Sequence, residues 1–160
     1  MEIKFFKYLF LIFLCFFYGC SASTQSIDKK VLILKTSSFD VVEKDLKFSG
    51  DIPIYLKNLT EDWFNKNIKV NGFEGKLTII IDKYSETISN ITDGKRVDLS
   101  INFNAEISKL NNKKIIKTKG KVKSYGTLVG DFSLNEFDIL ISNTQSDLIV
   151  ILSEKLHSSF

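Results

Sequence analysis

A stretch near the middle of the chain alternates strictly between apolar and polar side chains. The alternation runs from Val97 to Ser108, with a polar residue at every even position. Successive side chains of a β-strand point to opposite faces of the sheet, so this pattern predicts a strand with one face on a core and the other in water. Burial of one face only is typical of antiparallel sheets. The inward positions are Val97, Leu99, Ile101, Phe103, Ala105 and Ile107.

Turn signals on both sides of this strand predict a neighbouring strand on each side. Asp93-Gly94 precedes it and favours a type I′ hairpin turn, whose two central residues both need positive φ. The preceding strand is expected to begin at Leu77 and to run to about Ile88. Asn111-Asn112 follows and turns the chain into a third strand. That strand is expected to place Ile116, Thr118, Gly120 and Val122 inward and Lys117, Lys119, Lys121 and Lys123 outward.

Earlier in the chain, the apolar run Val31–Leu34 predicts one more buried strand. The stretch Phe39–Gly50 mixes charged with small residues and is interpreted as a loop or an irregular edge. Asp51–Asn67 has apolar residues at helical spacing, which predicts the first helix. Pro53 would lie in its first turn, where the missing backbone N–H of proline removes no helical hydrogen bond.

A second helix has a well-marked start. Ser133 and Glu136 have the spacing of a capping box, and Phe132 can pack as a staple on Phe137. An apolar stripe then runs to Leu156. The predicted fold class is therefore α+β: a two-layer sandwich in which an antiparallel sheet of about four strands carries two helices packed on one face.

The N-terminus has the three parts of a secretory signal. Lys4 and Lys7 are followed by the apolar run Tyr8–Tyr18, and the chain then becomes small and polar. A spanning helix needs roughly 20 apolar residues, and this run is shorter. An uncleaved N-terminal membrane anchor remains an alternative.

Cys20 follows Gly19 directly, which resembles the bacterial lipobox, where removal of the signal leaves a lipid-modified N-terminal cysteine. Phe17 and Tyr18 differ from the Leu and the small residue usual there. Cys15 would leave with the signal, so the mature chain could form no internal disulfide. We expect a lipoprotein signal at 1–19, a lipidated N-terminus and tether at 20–30, and a single α+β domain at 31–160.

The composition argues against an enzyme. The chain has one histidine, His157, which lies near the C-terminus and is interpreted as a solvated helix end. No glycine-rich phosphate loop, HExxH or CxxC motif occurs. We therefore predict no catalytic residues, no metal and no cofactor. A net charge of +3, export, and the lack of interleaved aromatic residues also argue against a nucleic-acid partner.

The lysine row of the third strand is the most functional-looking surface. Alternate lysines on a strand are most often a solvated face, or they protect a sheet edge against aggregation. The alternative is a phosphate-rich partner, such as a lipid headgroup, contacted by ammonium groups. The basic residues at the hairpin ends, which would complete such a surface, are Lys95, Arg96, Lys113 and Lys114.

The order of elements resembles the LPS-assembly lipoprotein family of Gram-negative outer membranes. The long alternating strand at Arg96–Leu110 carries the resemblance, together with Lys121–Leu156, a strand, a link containing Tyr125, and a helix. The chain departs from the family at Ser21-Ala22, where a Gly-Phe pair is common. The resemblance implies a lipid-anchored protein that plugs a large β-barrel translocon and helps to deliver lipopolysaccharide to the outer leaflet. It also implies lipopolysaccharide contacts near Lys95, Arg96, Lys113 and Lys114.

The lipobox resemblance implies an outer-membrane location facing the periplasm, because Ser21 is not the Asp that retains lipoproteins at the inner membrane. Two other interpretations stay open. The chain could be a lipoprotein accessory of an ABC-type lipid transport system, or another periplasm-facing binding lipoprotein.

Overall fold

The computed structural model describes residues 34–109 and 114–160. The predicted signal at 1–19, the tether at 20–30 with Cys20, and Lys113 lie outside the described residues. So does most of the strand predicted at 31–34, of which Leu34 alone is described and lies before the first strand.

Six strands and two helices follow one another along the described chain. The sheet order is β2-β4-β5-β6, and β1 and β3 form a separate two-stranded parallel pair. The elements are β1 (Ser37–Phe39), β2 (Glu43–Phe48), α1 (Ile54–Asn67), β3 (Ile68–Val70), β4 (Lys76–Ile91), β5 (Gly94–Lys109), β6 (Lys114–Val129) and α2 (Leu134–His157).

The predicted fold class is confirmed, with two helices packed against a sheet of four strands. The expectation of a purely antiparallel sheet is wrong, because β2 pairs with β4 in parallel. The interpretation of Phe39–Gly50 as a loop or an irregular edge is correct only in part, because β1 ends at Phe39 and β2 is a regular strand at the edge of the sheet. The connection from β2 through α1 and β3 is long enough to bring the chain back in the same direction, which a parallel pair requires.

The core lies between the two helices and one face of the sheet. The apolar positions of β5 face it as predicted, and β6 presents Gly120, Val122 and Gly126 to the same side. Small residues on β6 let α2 pack closely against it. A Cβ added at Gly126 would lie 2.6 Å from Thr144 Oγ1 on α2.

A bulge in β4 changes which residues face the core. The register with β5 shifts between Ile81 and Lys83, so Ile81 and Tyr84 both lie on the helix side. β2 pairs with β4 only as far as Ile81. Beyond that point, the sheet is three strands wide.

The predicted start of the second helix is confirmed, and the predicted hairpin turn is shifted by one residue. Ser133 and Glu136 form the predicted capping box, and the rings of Phe132 and Phe137 stack with their centroids 6.1 Å apart. The hairpin between β4 and β5 exists, but Ile91 pairs with Gly94, so the prediction of Asp93-Gly94 as the turn centre is one residue late. Asp93 is the non-glycine residue with positive φ, at 58°, among the described residues.

Candidate functional site

The sheet face opposite the helices has no covering layer among the described elements. We call this surface the open face, formed by the outward side chains of β2, β4, β5 and β6. Its centre is polar, because the even positions of β5 lie directly opposite the lysines of β6. The cross-strand pairs are Ser100 with Lys123, Asn102 with Lys121, Asn104 with Lys119, and Glu106 with Lys117.

The lysines of this row differ in their electrostatic partners. Lys117 Nζ lies 2.9 Å from Glu106 Oε2. Lys119, Lys121 and Lys123 form no salt bridge with another residue in the described part of the chain. Three ammonium groups on the open face are therefore available for an anionic partner.

An arginine completes the positive surface towards the β4–β5 hairpin. Arg96 donates to both carboxylate oxygens of Asp98, at 2.8 and 2.7 Å, and its guanidinium lies 4.4 Å from the centre of the Tyr125 ring. The hydrogen bonds from Arg96 hold the pKa of Asp98 below its ordinary value, and the charges of Arg96 and Lys123 act in the same direction. Arg96 is thus fixed in place, with its planar group stacked on an aromatic ring.

Two shallow depressions lie on the open face. One, of about 470 Å³, lies between β4 and β6 and includes Asn104, Lys117 and Lys119. The other, of about 360 Å³, combines hydroxyl groups with positive charges. The polar side chains that line it on the open face are Ser85, Thr87, Arg96, Asp98, Ser100, Lys121, Lys123 and Tyr125. Such a mixture of hydroxyls and cations can bind phosphate and sugar groups.

The four basic residues singled out in the sequence do not form one cluster. Lys95 pairs with Leu128 at one end of β5, whereas Lys114 pairs with Lys109 at the other end. At about 3.3 Å per residue, these two positions are roughly 45 Å apart. Lys95 also points to the helix side, where its Nζ lies 5.8 Å from the centre of the Phe137 ring. Of the four, the structure places Arg96 on the open face.

Ser85 and Thr87 join this surface without having been predicted from the sequence. Ser85 and Thr87 face this surface because the bulge near Asp82 reverses the inward–outward alternation of β4. No residue pattern in the sequence indicates the bulge. A count of alternating residues along Leu77–Ile88 would have assigned both of them to the core.

The end of α2 is less isolated than its sequence suggests. His157 is exposed, yet its Nδ1 lies 3.4 Å from the hydroxyl of buried Ser37 on β1. The nearby carboxylate of Asp40 accepts from Lys109. The contact ties the end of α2 to β1.

Within residues 34–109 and 114–160, neither helix has the length and apolar character needed to span a bilayer. The same described residues contain no group of three or more side chains that could hold a metal ion.

Solved structures share this arrangement of elements. Rare lipoprotein B from Shewanella oneidensis is similar over 73% of this chain and 95% of its own, with a TM-score of 0.51 and 12% sequence identity. The chain shares the fold of a bacterial lipoprotein. At this identity, the similarity concerns the fold alone.

Two further structures are more distant. Lipoprotein B from Nitrosomonas europaea has a TM-score of 0.48 at 10% identity, over 81% of this chain and 90% of its own. A minor lipoprotein from Acinetobacter baumannii has a TM-score of 0.44 at 12% identity, over 74% and 90%. No protein-family model matches the sequence. No curated protein matches it either.

Proposed function

We propose that this chain is an outer-membrane lipoprotein, anchored through Cys20 and facing the periplasm. It acts as a plug and assembly subunit of the β-barrel translocon that inserts lipopolysaccharide into the outer leaflet. The observation that carries the proposal is the open face, a long polar sheet surface with unpaired lysines. The lipobox-like Gly19-Cys20 and the fold shared with a bacterial lipoprotein support the anchoring.

The shape and polarity of the domain fit the lumen of a barrel. β4, β5 and β6 each have 16 residues, which corresponds to about 50 Å of strand. A bilayer with its headgroups is about 40–45 Å thick, and the inside of an outer-membrane barrel is polar. A sheet of this length can lie along such a lumen with the polar centre of its open face against the polar wall.

The charge pattern fits a phosphate-rich glycolipid. Lys119, Lys121 and Lys123 present compact point charges that suit phosphates, and the hydroxyls of Ser85 and Thr87 can donate to phosphate or sugar oxygens. A row of cations along a strand can contact several anionic groups at once. A small monovalent anion would use only a part of this surface.

Affinity purification of the tagged protein from detergent-solubilised membranes tests the proposal. The key variant replaces Lys119, Lys121 and Lys123 by Gln. Its matched control replaces Lys57, Lys66 and Lys69, which lie on α1 and β3, by Gln and loses the same three charges. We expect wild type and control to recover a large barrel protein with lipopolysaccharide, and the key variant to recover about tenfold less lipopolysaccharide.

The identity of the recovered protein separates the two classes of function. Subunits of an ABC-type transporter in place of a barrel would favour the accessory role and contradict the plug. Equal amounts of lipopolysaccharide on all three proteins would remove the role of the lysine row.

A further inference from the structure

One end of the sandwich displays an aromatic ring to solvent. Phe73, in the loop between β3 and β4, is 99% exposed. The next residue, Glu74, turns inward, and its Oε2 is buried without a hydrogen-bond partner among the described residues. A loop that faced only water would be more stable with the carboxylate outside and the ring inside. The ring of Phe73 is therefore fully available for contact with an apolar surface.

The backbone of this loop is held in place on both sides. The N–H of Asn71 donates to Phe39 O at 3.1 Å, and that of Gly72 donates to Val41 O at 3.0 Å. The carbonyl of Gly75 accepts from Val42 N and Glu43 N, at 3.2 Å each. A Cβ at Gly72 would lie 2.5 Å from Val41 N, so the two backbones fit closely. Phe73 is thus presented from a fixed support.

Other exposed apolar side chains lie at the same end, which we call the near end. Val42, just before β2, is 52% exposed, and Ile115, at the start of β6, is 56% exposed. The register places Ile115 opposite Ser108 and Ser108 opposite Lys76, directly after the Phe73 loop. The near end is therefore apolar at several points across the sheet.

The described chain also begins at the near end. Leu34 O accepts from Asn67 Nδ2 at 3.1 Å, at the end of α1 and directly before β3. Even fully extended, the residues from Cys20 to Leu34 span at most about 50 Å. The opposite end of the sheet, at Leu134, lies about 50 Å further along the strands. A lipid on Cys20 would therefore keep the near end within about 50 Å of the bilayer, whereas the far end could lie up to about 100 Å from it.

We propose that the near end seats on the phospholipid surface in which Cys20 is anchored, with the ring of Phe73 inserted at the boundary between headgroups and acyl chains. This inference rests on the proposed anchor at Cys20 and is independent of the barrel partner. Aromatic and aliphatic side chains on a fixed support gain contact with acyl chains while the surrounding polar backbone stays in the headgroup region. The lipid surface is the occupant that the position of the chain start favours.

Tryptophan fluorescence in vesicles tests the orientation. Full-length protein purified from membranes carries Phe73→Trp at the near end or, as the matched control, Leu134→Trp at the far end, where the side chain is 84% exposed. Trp63 is 2% exposed and contributes the same background to both. The proteins are reconstituted into phosphatidylethanolamine and phosphatidylglycerol vesicles with or without brominated acyl chains, and binding is checked by flotation.

We expect the emission of the Phe73→Trp protein to shift to shorter wavelength on reconstitution and to be quenched by brominated lipid, while Leu134→Trp stays unquenched. Flotation without quenching at position 73 overturns the seat and leaves the anchor intact. Equal quenching at both positions overturns the orientation. A protein that does not float overturns the Cys20 anchor and, with it, the seat.

Discussion

Lys44 joins two elements that the sequence alone does not connect. Its ammonium group, on β2, donates to Phe64 O at 3.0 Å, Asn65 O at 3.3 Å and Ile68 O at 2.6 Å. Phe64 and Asn65 lie in the last turn of α1, Ile68 directly follows it, and a positive charge is favourable at this end of a helix. Burial of the ammonium lowers the pKa of Lys44, and the nearby charge of Lys69 adds to this effect. One inward lysine therefore stabilises the crossover from β2 to α1.

Replacing Lys44 by Met should lower the free energy of unfolding by about 2 kcal/mol. Met keeps most of the apolar stem but removes the charge at the helix end and the Lys44 donor to the part-buried Ile68 O, whereas Phe64 O keeps the N–H of Ile68. Lys47→Met on the same strand is the control, because Lys47 is exposed on the open face. Urea unfolding followed by the fluorescence of Trp63 measures both. Equal losses in the two variants would contradict the capping role of Lys44.

Lys44 also explains why the sequence predicts a loop or an irregular edge, and not a regular strand, at β2. The strand reads EKDLKF, and its core side is Lys44, Leu46 and Phe48. A lysine at an inward position removes the apolar alternation that predicts a strand. The compensation comes from carbonyls twenty and more residues later in the chain, which sequence pattern cannot reveal.

At the scale of elements, the start of α2 is the part that local sequence specified most fully. Ser133 N–H donates to Glu136 Oε2 at 2.6 Å, and Glu136 N–H donates back to Ser133 Oγ at 3.2 Å. The backbone bond from Ser133, and next the bond from its hydroxyl, hold the pKa of Glu136 below its ordinary value of 4.5. All of these groups lie within four residues, so the sequence contained the whole motif.

The lowered pKa of Glu136 makes its contribution dependent on pH. A carboxylate with a lower pKa in the folded state stabilises the protein fully above its unfolded pKa and loses this effect as the pH falls through the folded pKa. The difference in unfolding free energy between wild type and Glu136→Gln should therefore be largest near pH 6 and shrink towards about pH 3. Chemical unfolding across this range measures it, with Asp138→Asn as the control on the same helix. A difference that stays constant with pH would contradict the capping role of the carboxylate.

The sequence predicts which segments form strands better than it predicts which strands pair with each other. The alternation of β5 and β6 identified their inward and outward sides, because each strand keeps a period of two throughout. β4 does not, since its bulge reverses the pattern after Ile81. The parallel pairing of β2 with β4 depends on a crossover through α1. Such a long connection produces no residue pattern in either strand from which the pairing could be predicted.

At the scale of the whole molecule, the charged surface arises because apolar and polar side chains alternate along strands whose sheet is covered by helices on one side only. The lysine row of β6 was visible in the sequence for this reason. The separation of Lys95 and Arg96 from Lys113 and Lys114 was implicit in the sequence, because the two hairpins that flank one strand lie at opposite ends of it. The structure separates Lys95 from Lys114 along the full length of β5 and places Arg96 beside Lys121 and Lys123 in one depression.

Two surfaces of the molecule thus have different proposed partners. The open face is polar and basic at its centre and is assigned to the barrel and its glycolipid. The near end is apolar around Phe73 and is assigned to the phospholipid surface.

Photo-cross-linking in intact cells tests this account most directly. A benzophenone amino acid is placed at Lys121 on the open face or at Lys66 on α1, where the side chain is exposed and paired with Asp62. The account predicts a covalent product between position 121 and an outer-membrane β-barrel protein, identified by mass spectrometry, and no such product from position 66. A product from position 66 alone, or a cross-link from position 121 to an inner-membrane transporter subunit, would contradict it.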